Sequence, residues 1–278
     1  MAEIEAAAPT VELPVIPVVL KELKEAKNDL NTVAHVITQH PELAQEVLST
    51  INAPYFSLVR DIKSAEEAVR MLGMQRIVNL TTGRLLRSTI FAGKDKLLSD
   101  LWKTSLKVAV ISVLVSKELD VAATDESYTT AIFHNAGMAL LNQSNASYSK
   151  SIKAAYFNED GCISEFERQQ FKTSHAALGA QLASNWGLSG AISKCINLHH
   201  DPQKLLAQID KKDEAGELLL VLKISEQMAR LPGYLAQCVD NFEWEKIKEP
   251  IFDELKMTEG MYRRFELVIK KKLAEIKG

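Results

Sequence analysis

Helix signals recur along this chain so often that little room is left for other secondary structure. Two capping boxes, Ser64-Ala65-Glu66-Glu67 and Ser164-Glu165-Phe166-Glu167, each place a serine three residues before a glutamate and mark helix starts. Only 12 residues are glycine and 8 are proline, so the chain makes few turns, which favours long helices. No stretch shows the sustained apolar–polar alternation that is typical of a half-buried strand. The sequence therefore predicts an all-α fold.

Apolar side chains spaced three and four residues apart define the individual helices. Pro17 suits a first helical turn, and Pro41 opens the next helix. Gly73 closes the helix that begins at the first capping box, and Thr124 is the predicted cap of a helix through Leu141. The other predicted helices are 74–87, a long helix after residue 96, a helix from Ser164 to Trp186-Gly187, a short helix that runs to His199-His200 and is limited by Pro202, and helices over 213–230 and 258–277.

Composition divides the chain into four parts. A domain boundary is predicted near residues 88–96, where Gly93 and the charged Lys94-Asp95-Lys96 separate two helical blocks, and a turn is predicted at residues 158–161. We expect two packed helical subdomains. The predicted parts are a disordered lead over residues 1–12, an N-terminal subdomain over 13–92, a second subdomain over 93–230 and a helical extension over 231–278.

Charge and cysteine usage exclude several classes of protein. Lys and Arg total 33 and Asp and Glu total 36, and this net charge of -3 argues against a broadly basic nucleic-acid-binding protein. Cys162, Cys195 and Cys238 form no CxxC pair, so we expect neither a disulfide framework nor a zinc knuckle. The acidic N-terminus precedes no apolar signal segment, and the apolar stretch at 108–115 is too short to span a membrane. We therefore expect a cytoplasmic protein with no membrane partner.

The C-terminal helix has two interpretations. Met261, Phe265, Val268 and Ile276 share one face, which predicts docking on the body of the protein with a solvated basic face outside. Alternatively, the basic face contacts an acidic partner or nucleic acid through Arg263, Arg264 and Lys270-Lys271-Lys272. The helix lacks the interleaved aromatic residues that a platform for single-stranded nucleic acid uses. We expect no nucleic-acid partner.

Histidines are the residues best suited to carry chemistry. Neutral imidazole is a good ligand for zinc, iron and other transition metals, and converging helices can bring distant ligands together. A lone histidine is more often a surface or hydrogen-bonded core residue, and that interpretation stays open for each one. The candidate metal ligands are the four histidines of the second subdomain, His134, His175, His199 and His200.

Few carboxylates accompany these histidines in the sequence. Asn135 follows His134 and cannot supply negative charge, and Glu165 and Glu226 are the candidate substitutes. No GxSxG motif, Walker loop, GxGxxG fingerprint or HExxH motif is present. The sequence therefore gives no support for a nucleophilic hydrolase, a P-loop enzyme or a dinucleotide-dependent enzyme.

The order and spacing of several motifs resemble the HDOD family of bacterial signalling proteins, a branch related to the HD metal-dependent phosphohydrolases. The resemblance covers roughly residues 11–230, and its motifs are specific only in combination. The motifs are Leu13-Pro14-Val15-Ile16-Pro17, His40-Pro41-Glu42-Leu43, Val47-Leu48-Ser49-Thr50-Ile51-Asn52-Ala53-Pro54-Tyr55-Phe56, Ile62-Lys63-Ser64-Ala65-Glu66-Glu67-Ala68-Val69-Arg70-Met71-Leu72-Gly73, Leu101-Trp102-Lys103-Thr104-Ser105, Phe133-His134-Asn135-Ala136-Gly137, His175-Ala176-Ala177-Leu178-Gly179 and Leu198-His199-His200-Asp201-Pro202.

The resemblance implies an HD-like second subdomain with a degenerate metal site. The HD doublet falls on His134-Asn135, and the later histidines fall on His175 and on His199-His200. The sequence thus keeps the histidines, which implies a vestigial or partial site for at most a single divalent metal.

The resemblance also implies the loss of other site residues. The first helix histidine of the HD enzymes falls on Thr104, and the late aspartate falls near Ser225-Glu226. The lysine that follows the doublet in the HD-GYP group falls on Met138. Because a phosphohydrolase needs metal to acidify water and bind phosphoryl oxygens, we expect no catalytic residue in this chain.

Two hypotheses follow. The first is a non-catalytic signal-transduction or scaffold module of a bacterial cytoplasm that binds a protein partner or a small signal. The alternative is a metal-dependent phosphohydrolase of the HD superfamily with an altered ligand set.

Overall fold

The computed structural model describes residues 11–26, 29–56, 58–92, 95–156, 162–210, 212–229 and 241–277. Within these ranges the chain forms sixteen α-helices, one short 3-10 turn and no β-strand, so the prediction of an all-α fold is confirmed. No described helix is long and apolar enough to cross a lipid bilayer. Most of the predicted disordered lead, the predicted turn at 158–161 and Cys238 lie outside the described residues.

The first five helices lie within the range predicted for the N-terminal subdomain, and the others follow that range. The boundary near residues 88–96 stays a prediction. One helix ends at Thr89 and the next begins at Lys96, and Gly93 and Lys94 between them lie outside the described residues. Helices α2, α9, α13 and α15 have no individual counterpart among the predicted helices. The helices are α1 Val18–Glu25, α2 Leu30–Thr38, α3 Pro41–Ile51, α4 Ala65–Leu72, α5 Met74–Thr89, α6 Lys96–Leu119, α7 Thr124–Phe133, α8 Ala136–Ser144, α9 Tyr148–Tyr156, α10 Ile163–Phe171, α11 His175–Asn185, α12 Gly190–Leu198, α13 Pro202–Ile209, α14 Glu214–Ala229, α15 Phe242–Leu255 and α16 Glu259–Lys277.

Side-chain caps start helices in the N-terminal subdomain. The Ser64 hydroxyl accepts a hydrogen bond from the backbone N–H of Glu67, and the Glu67 carboxylate accepts one from the backbone N–H of Lys63. Asp29 caps α2 with its own carboxylate. Gly73 adopts a φ of 78°, which lets the chain turn sharply from α4 into α5.

Helix α5 of the first subdomain packs against α7 of the second. The Arg76 and Asn79 side chains on α5 both bind the Asp125 carboxylate on α7, at 3.1 and 3.2 Å. The ring of Tyr55 stacks on that of Tyr128, with the centroids 6.2 Å apart. Elements from the two predicted subdomains are therefore packed directly against each other.

Helices α6 and α14 form the centre of the second subdomain. Helix α6 is 24 residues long and packs against both α7 and α14. Between Ala215 and Ser225, every residue of α14 except Glu217 is buried. A helix that is buried nearly all round belongs to the interior of the fold, so a charged residue on it needs a partner.

The predicted helix from Thr124 through Leu141 is two helices. Helix α7 ends at Phe133 and α8 begins at Ala136, so His134 and Asn135 lie in the break. The helix also begins at Thr124 itself, and the Thr124 side chain is not its cap. The apolar pattern runs on across the break because both helices are buried, and this hides the break in the sequence.

The predicted helix from Ser164 to Trp186-Gly187 is also two helices. Helix α10 ends at Phe171, where Lys172 takes a left-handed φ of 60°, and α11 begins at His175. The prediction that Ser164 caps α10 was wrong, because Ser164 lies inside the first turn with its side chain buried.

Helix α16 docks by a face next to the predicted one. Tyr262 and Ile269 are buried, whereas Met261 and Val268 are each 42% exposed. The predicted apolar face was thus wrong at two positions, because Tyr262 is buried instead of Met261 and Ile269 instead of Val268. Met261 and Tyr262 lie only about 100° apart around a helix, so hydrophobicity alone does not decide between them.

Candidate functional site

Four histidine rings form one buried cluster in the second subdomain. His134 follows α7, His175 begins α11, and His199 and His200 follow α12. The ring centroid of His199 lies 5.5 Å from that of His134, 5.2 Å from that of His175 and 4.2 Å from that of His200. Each residue is at most 5% exposed. We call these four residues the histidine cluster.

A close backbone approach positions His175 in the cluster. Gly137 is the second residue of α8, and a Cβ added to it would lie 2.0 Å from the backbone oxygen of His175. Only a glycine permits such an approach between α8 and α11. Ser174 caps α11 by accepting a hydrogen bond from the backbone N–H of Ala177, so α11 starts at His175.

Each ring of the histidine cluster is held through its Nδ1 atom. Two rings donate to the carbonyl three residues earlier and two donate to carboxylates. Carbonyl and carboxylate oxygens only accept, so Nδ1 carries the proton in every case, and Nε2 offers a lone pair when the ring is neutral. The bonds are His134 to Ala131 O, His199 to Ile196 O, His175 to Glu167 Oε2 and His200 to Glu243 Oε2, each 2.6 Å long.

Burial keeps two of these rings uncharged. Burial lowers the pKa of His134 to about 4, although the nearby Glu226 carboxylate opposes the change. Burial and the neighbouring histidines hold the pKa of His199 well below its ordinary value. Both rings are therefore neutral at pH 7.

Acceptor atoms face each other within the cluster. The Nε2 atoms of His175 and His199 lie 3.4 Å apart, and Nε2 of His134 lies 3.3 Å from Oε1 of Glu226. Nε2 of His200 is buried without a hydrogen-bond partner. Such contacts between lone pairs are costly unless a proton or a cation lies between them.

The donor set fits a single divalent transition metal. One ligand atom from each of His175, His199 and His200 lies within 4.8 Å of the other two. Three imidazoles whose Nδ1 atoms donate to carbonyl and carboxylate oxygens form the usual protein ligand set of a zinc-type centre.

Glu167 supports the cluster from behind. It is fully buried and accepts hydrogen bonds from the Tyr148 hydroxyl at 2.6 Å and from the backbone N–H of His175 at 2.8 Å, besides the bond from Nδ1. Burial alone would raise the pKa of Glu167, but His175 and Tyr148 outweigh it and lower this pKa. Glu167 is therefore an ionised carboxylate that orients His175, and it does not cap α10.

A buried lysine lies beside the histidine cluster. The Lys223 Nζ atom is 2.6 Å from Oε2 of Glu226 and 2.8 Å from Oε1 of Glu243. Burial alone would lower the pKa of Lys223, but the two carboxylates outweigh it and raise this pKa. Burial alone would raise the pKa of Glu243, but His200 and Lys223 lower it to about 2. We call Lys223, Glu226 and Glu243 the lysine network, and all three are charged at pH 7.

A small pocket opens on the lysine network. It encloses about 40 Å³ and is also lined by Thr104, His134, Asn135 and His200. The Thr104 hydroxyl donates to the backbone oxygen of Asp100 on its own helix, at 2.9 Å. The Asn135 Oδ1 atom is buried without a hydrogen-bond partner. About 30 Å³ is the share of one water in the liquid, so the interior of this pocket suits a water or an ion.

A larger groove shares His200 and Glu243 with the small pocket. It has a volume of about 530 Å³, and Glu165, Arg168 and Asp201 line it. This volume is in the range of small-molecule sites. Glu165 thus lies in the groove and not in the histidine cluster.

The structure brings most of the sequence-predicted site residues together. Thr104, Asn135 and Glu226 line the small pocket beside His134 and His200. Met138, where the resemblance places the HD-GYP lysine, is fully buried and does not line this pocket.

Sequence reasoning missed Glu167, Lys223 and Glu243. Glu167 looked like a helix-capping residue, and Glu243 lies beyond the motifs of the resemblance. Lys223 did carry a signal, since it is a single lysine within the apolar run Leu218 to Ile224. A lysine at the centre of a buried helix requires a carboxylate partner.

Comparisons with known proteins agree on the family. The model of the HDOD domain family matches residues 13–202, more than half of the chain. An uncharacterized protein of Treponema pallidum (strain Nichols) is 24% identical over 201 residues, which is 68% of this chain and 38% of that protein. The chain thus spans well under half the length of this relative.

Two solved structures share the fold. A candidate phosphohydrolase from Shewanella amazonensis SB2B is 20% identical, with a TM-score of 0.64 over 95% of this chain and 93% of that one. A candidate signal transduction protein from Marinobacter aquaeolei VT8 is 16% identical, with a TM-score of 0.58 over 96% of this chain and 59% of that one. At these identities the likeness shows the fold alone.

Proposed function

This chain belongs to the HDOD domain family, and on that premise we propose that it is a non-catalytic signal-transduction or scaffold module of a bacterial cytoplasm. In this proposal it binds a protein partner or a small signal. The candidate signal transduction protein from Marinobacter aquaeolei VT8 has this fold, and that likeness supports the signalling role.

The lysine network is the observation that carries the non-catalytic proposal. The two carboxylates of this network outnumber its one ammonium group, and the neighbouring His134 adds no positive charge because burial keeps its ring neutral. The excess of carboxylate is unfavourable for a phosphate group, and the space inside the pocket, about 40 Å³, is small. The carboxylates that could help to hold metal are bound to Lys223 instead.

The lost ligands point in the same direction. The Thr104 hydroxyl donates its hydrogen bond to the backbone oxygen of Asp100 on the same helix, and Asn135 supplies an uncharged amide. Neither replaces an imidazole or a carboxylate as a metal ligand. The groove of about 530 Å³ beside His200 has a size that suits a small signal.

A hydrolysis panel tests the non-catalytic proposal. We expect no turnover of phosphomonoesters, phosphodiesters or cyclic dinucleotides above background, with or without added manganese. Turnover by the unmodified protein that a His134→Ala variant abolishes would overturn the proposal. Affinity capture from the native lysate tests the binding role, since a module of this kind should retain a specific partner.

The alternative, an HD-type metal-dependent phosphohydrolase, has one observation in its favour. His175, His199 and His200 present ligand atoms within 4.8 Å of one another and would hold a single divalent metal. Such a metal supplies Lewis acidity toward water and phosphoryl oxygens when it is bound. Elemental analysis of the purified protein, together with the hydrolysis panel, separates a metal-holding scaffold from an enzyme.

A further inference from the structure

A buried carboxyl group lies where three helices meet, at the opposite end of α7 from His134. Glu126 is in the first turn of α7 and is only 7% exposed. The side chains of Ser189, which caps α12, and of Glu214, which begins α14, both form hydrogen bonds with the Glu126 carboxyl group. Helices α7, α12 and α14 pack against one another. We call Glu126, Ser189 and Glu214 the glutamate joint.

No positive charge of the described residues balances Glu126. The preceding residue, Asp125, binds both Arg76 and Asn79 of α5, so the Arg76 cation is already paired. Helix α14 presents a second carboxyl group, Glu214, and α12 presents only an uncharged hydroxyl. Neither α6 nor any other described element brings an ion-pair partner to this carboxyl group. A buried acid in such surroundings is stable only when it is uncharged.

The hydrogen bond between Glu126 and Glu214 requires a proton. Carboxylate oxygens only accept hydrogen bonds, so two glutamate side chains bond to each other only when one of them is protonated. Burial, followed by the bond to Glu214 and the neighbouring carboxylates, raises the pKa of Glu126 from 4.5 to about 8. The Ser189 hydroxyl opposes this change only in part. At pH 7 the glutamate joint therefore holds one proton, which an unfolded chain would have released.

We propose that the proton shared by Glu126 and Glu214 latches the start of α14 to α7, and that release of this proton to solvent at alkaline pH loosens the contact. This inference concerns regulation by pH and does not depend on the proposed signalling function. Once the proton has left, two carboxylates face each other with no cation between them, and their repulsion pushes the first turn of α14 away from α7. Helix α7 leads from the joint to His134 and α14 leads from it to Lys223, so the latch joins two helices that border the small pocket.

Urea unfolding between about pH 5 and pH 9 tests the latch with Glu126→Gln as the variant. The glutamine amide still donates to Glu214, as the protonated acid does, but it does not titrate. Because the folded state keeps a proton that the unfolded chain loses, the contribution of the joint to stability is complete below about pH 4.5 and is lost as the pH rises to about 8. The unfolding equilibrium constant of wild type, divided by that of the variant, should therefore rise by up to about tenfold per pH unit between these values and level off above them. A ratio that is the same at every pH would overturn the proposal.

Two further variants define the origin of the pH effect. Glu217→Gln lies one turn along α14 from Glu214 and keeps an acceptor for the backbone N–H of Ala122, so it should show the wild-type pH profile. A flattened profile in this variant would contradict the assignment to the glutamate joint. Glu214→Gln removes the repelling carboxylate and covers the case in which Glu126→Gln does not fold. Its unfolding constant should rise less steeply with pH than that of wild type, and an unchanged slope would overturn the shared proton.

Hydrogen exchange measures the loosening of the latch itself. At about pH 9, the backbone amides in the first turns of α14 should exchange faster in wild type than in Glu126→Gln, because only the wild type then carries two facing carboxylates. Equal exchange rates in the two proteins would overturn the latch. Turnover in the hydrolysis panel would refute the proposed function and leave these pH profiles unchanged.

Discussion

Gly137 is the residue whose substitution tests the geometry of the histidine cluster most directly. In Gly137→Ala, the new Cβ would lie 2.0 Å from the backbone oxygen of His175, and 2.7 and 2.8 Å from two more of its backbone atoms. Ordinary contacts of this kind are about 3.4 Å or longer. Helix α11 must therefore move away from α8 by more than 1 Å, and His175 moves with it.

The expected cost follows from two opposing effects. Alanine near a helix start gains up to about 1 kcal/mol over glycine because it restricts the unfolded chain. Overpacking of a rigid core costs about 1–3 kcal/mol, and here the clash is with backbone that cannot change rotamer. We therefore expect Gly137→Ala to lower the free energy of unfolding by about 2 kcal/mol or more.

Gly190→Ala is the matched control. Gly190 is the first residue of α12, and a Cβ added to it meets no atom within 4 Å. Its alanine variant should be as stable as wild type or more stable by up to about 1 kcal/mol. Urea unfolding followed by circular dichroism measures both variants. Equal stability of the two variants would refute the close approach of α8 to α11.

Three further predictions concern the site. Glu167→Ala leaves three buried donors without an acceptor and should lower the free energy of unfolding in urea by about 3–5 kcal/mol. Glu167→Gln keeps two acceptor positions on its amide oxygen and should lower this free energy by less than half as much. Equal losses in the two variants would contradict the hydrogen-bond assignment. The pKa of His134 falls from 6.5 to about 4 on burial, so its contribution to stability is complete above pH 6.5 and about 3 kcal/mol of it is lost as the pH drops to about 4. A His134→Gln variant should lack this slope, and an identical pH profile would count against a neutral buried ring. Thr104→His combined with Asn135→Asp should bind divalent metal more tightly than wild type in a titration, and unchanged affinity in the folded double variant would contradict the correspondence with the HD ligand positions.

The helical class of this protein is a local property, and the sequence alone determined it. The Ser64 capping box, the scarcity of glycine and the apolar spacing each act within a few residues, and the structure has helices where they occur. The same holds for the candidate ligands, because His134, His175, His199 and His200 are visible as residue types in motif order. Their use by a metal stays a prediction.

Only the tertiary structure decided how these residues are used. Glu167 has the sequence context of a cap, yet it turns inward because a buried His175 and Tyr148 offer it three donors. The break at His134-Asn135 is invisible in the apolar pattern, since α7 and α8 are both buried.

The lysine network depends on contacts that no local pattern encodes. Lys223 and Glu226 are neighbours on α14, but Glu243 reaches them from α15, after 16 further residues of chain. Burial makes an unpaired charge so costly that a partner must exist, and the sequence therefore determines that Lys223 needs a carboxylate. Which carboxylate it meets depends on how α15 packs against α14, and that packing is set by the whole fold.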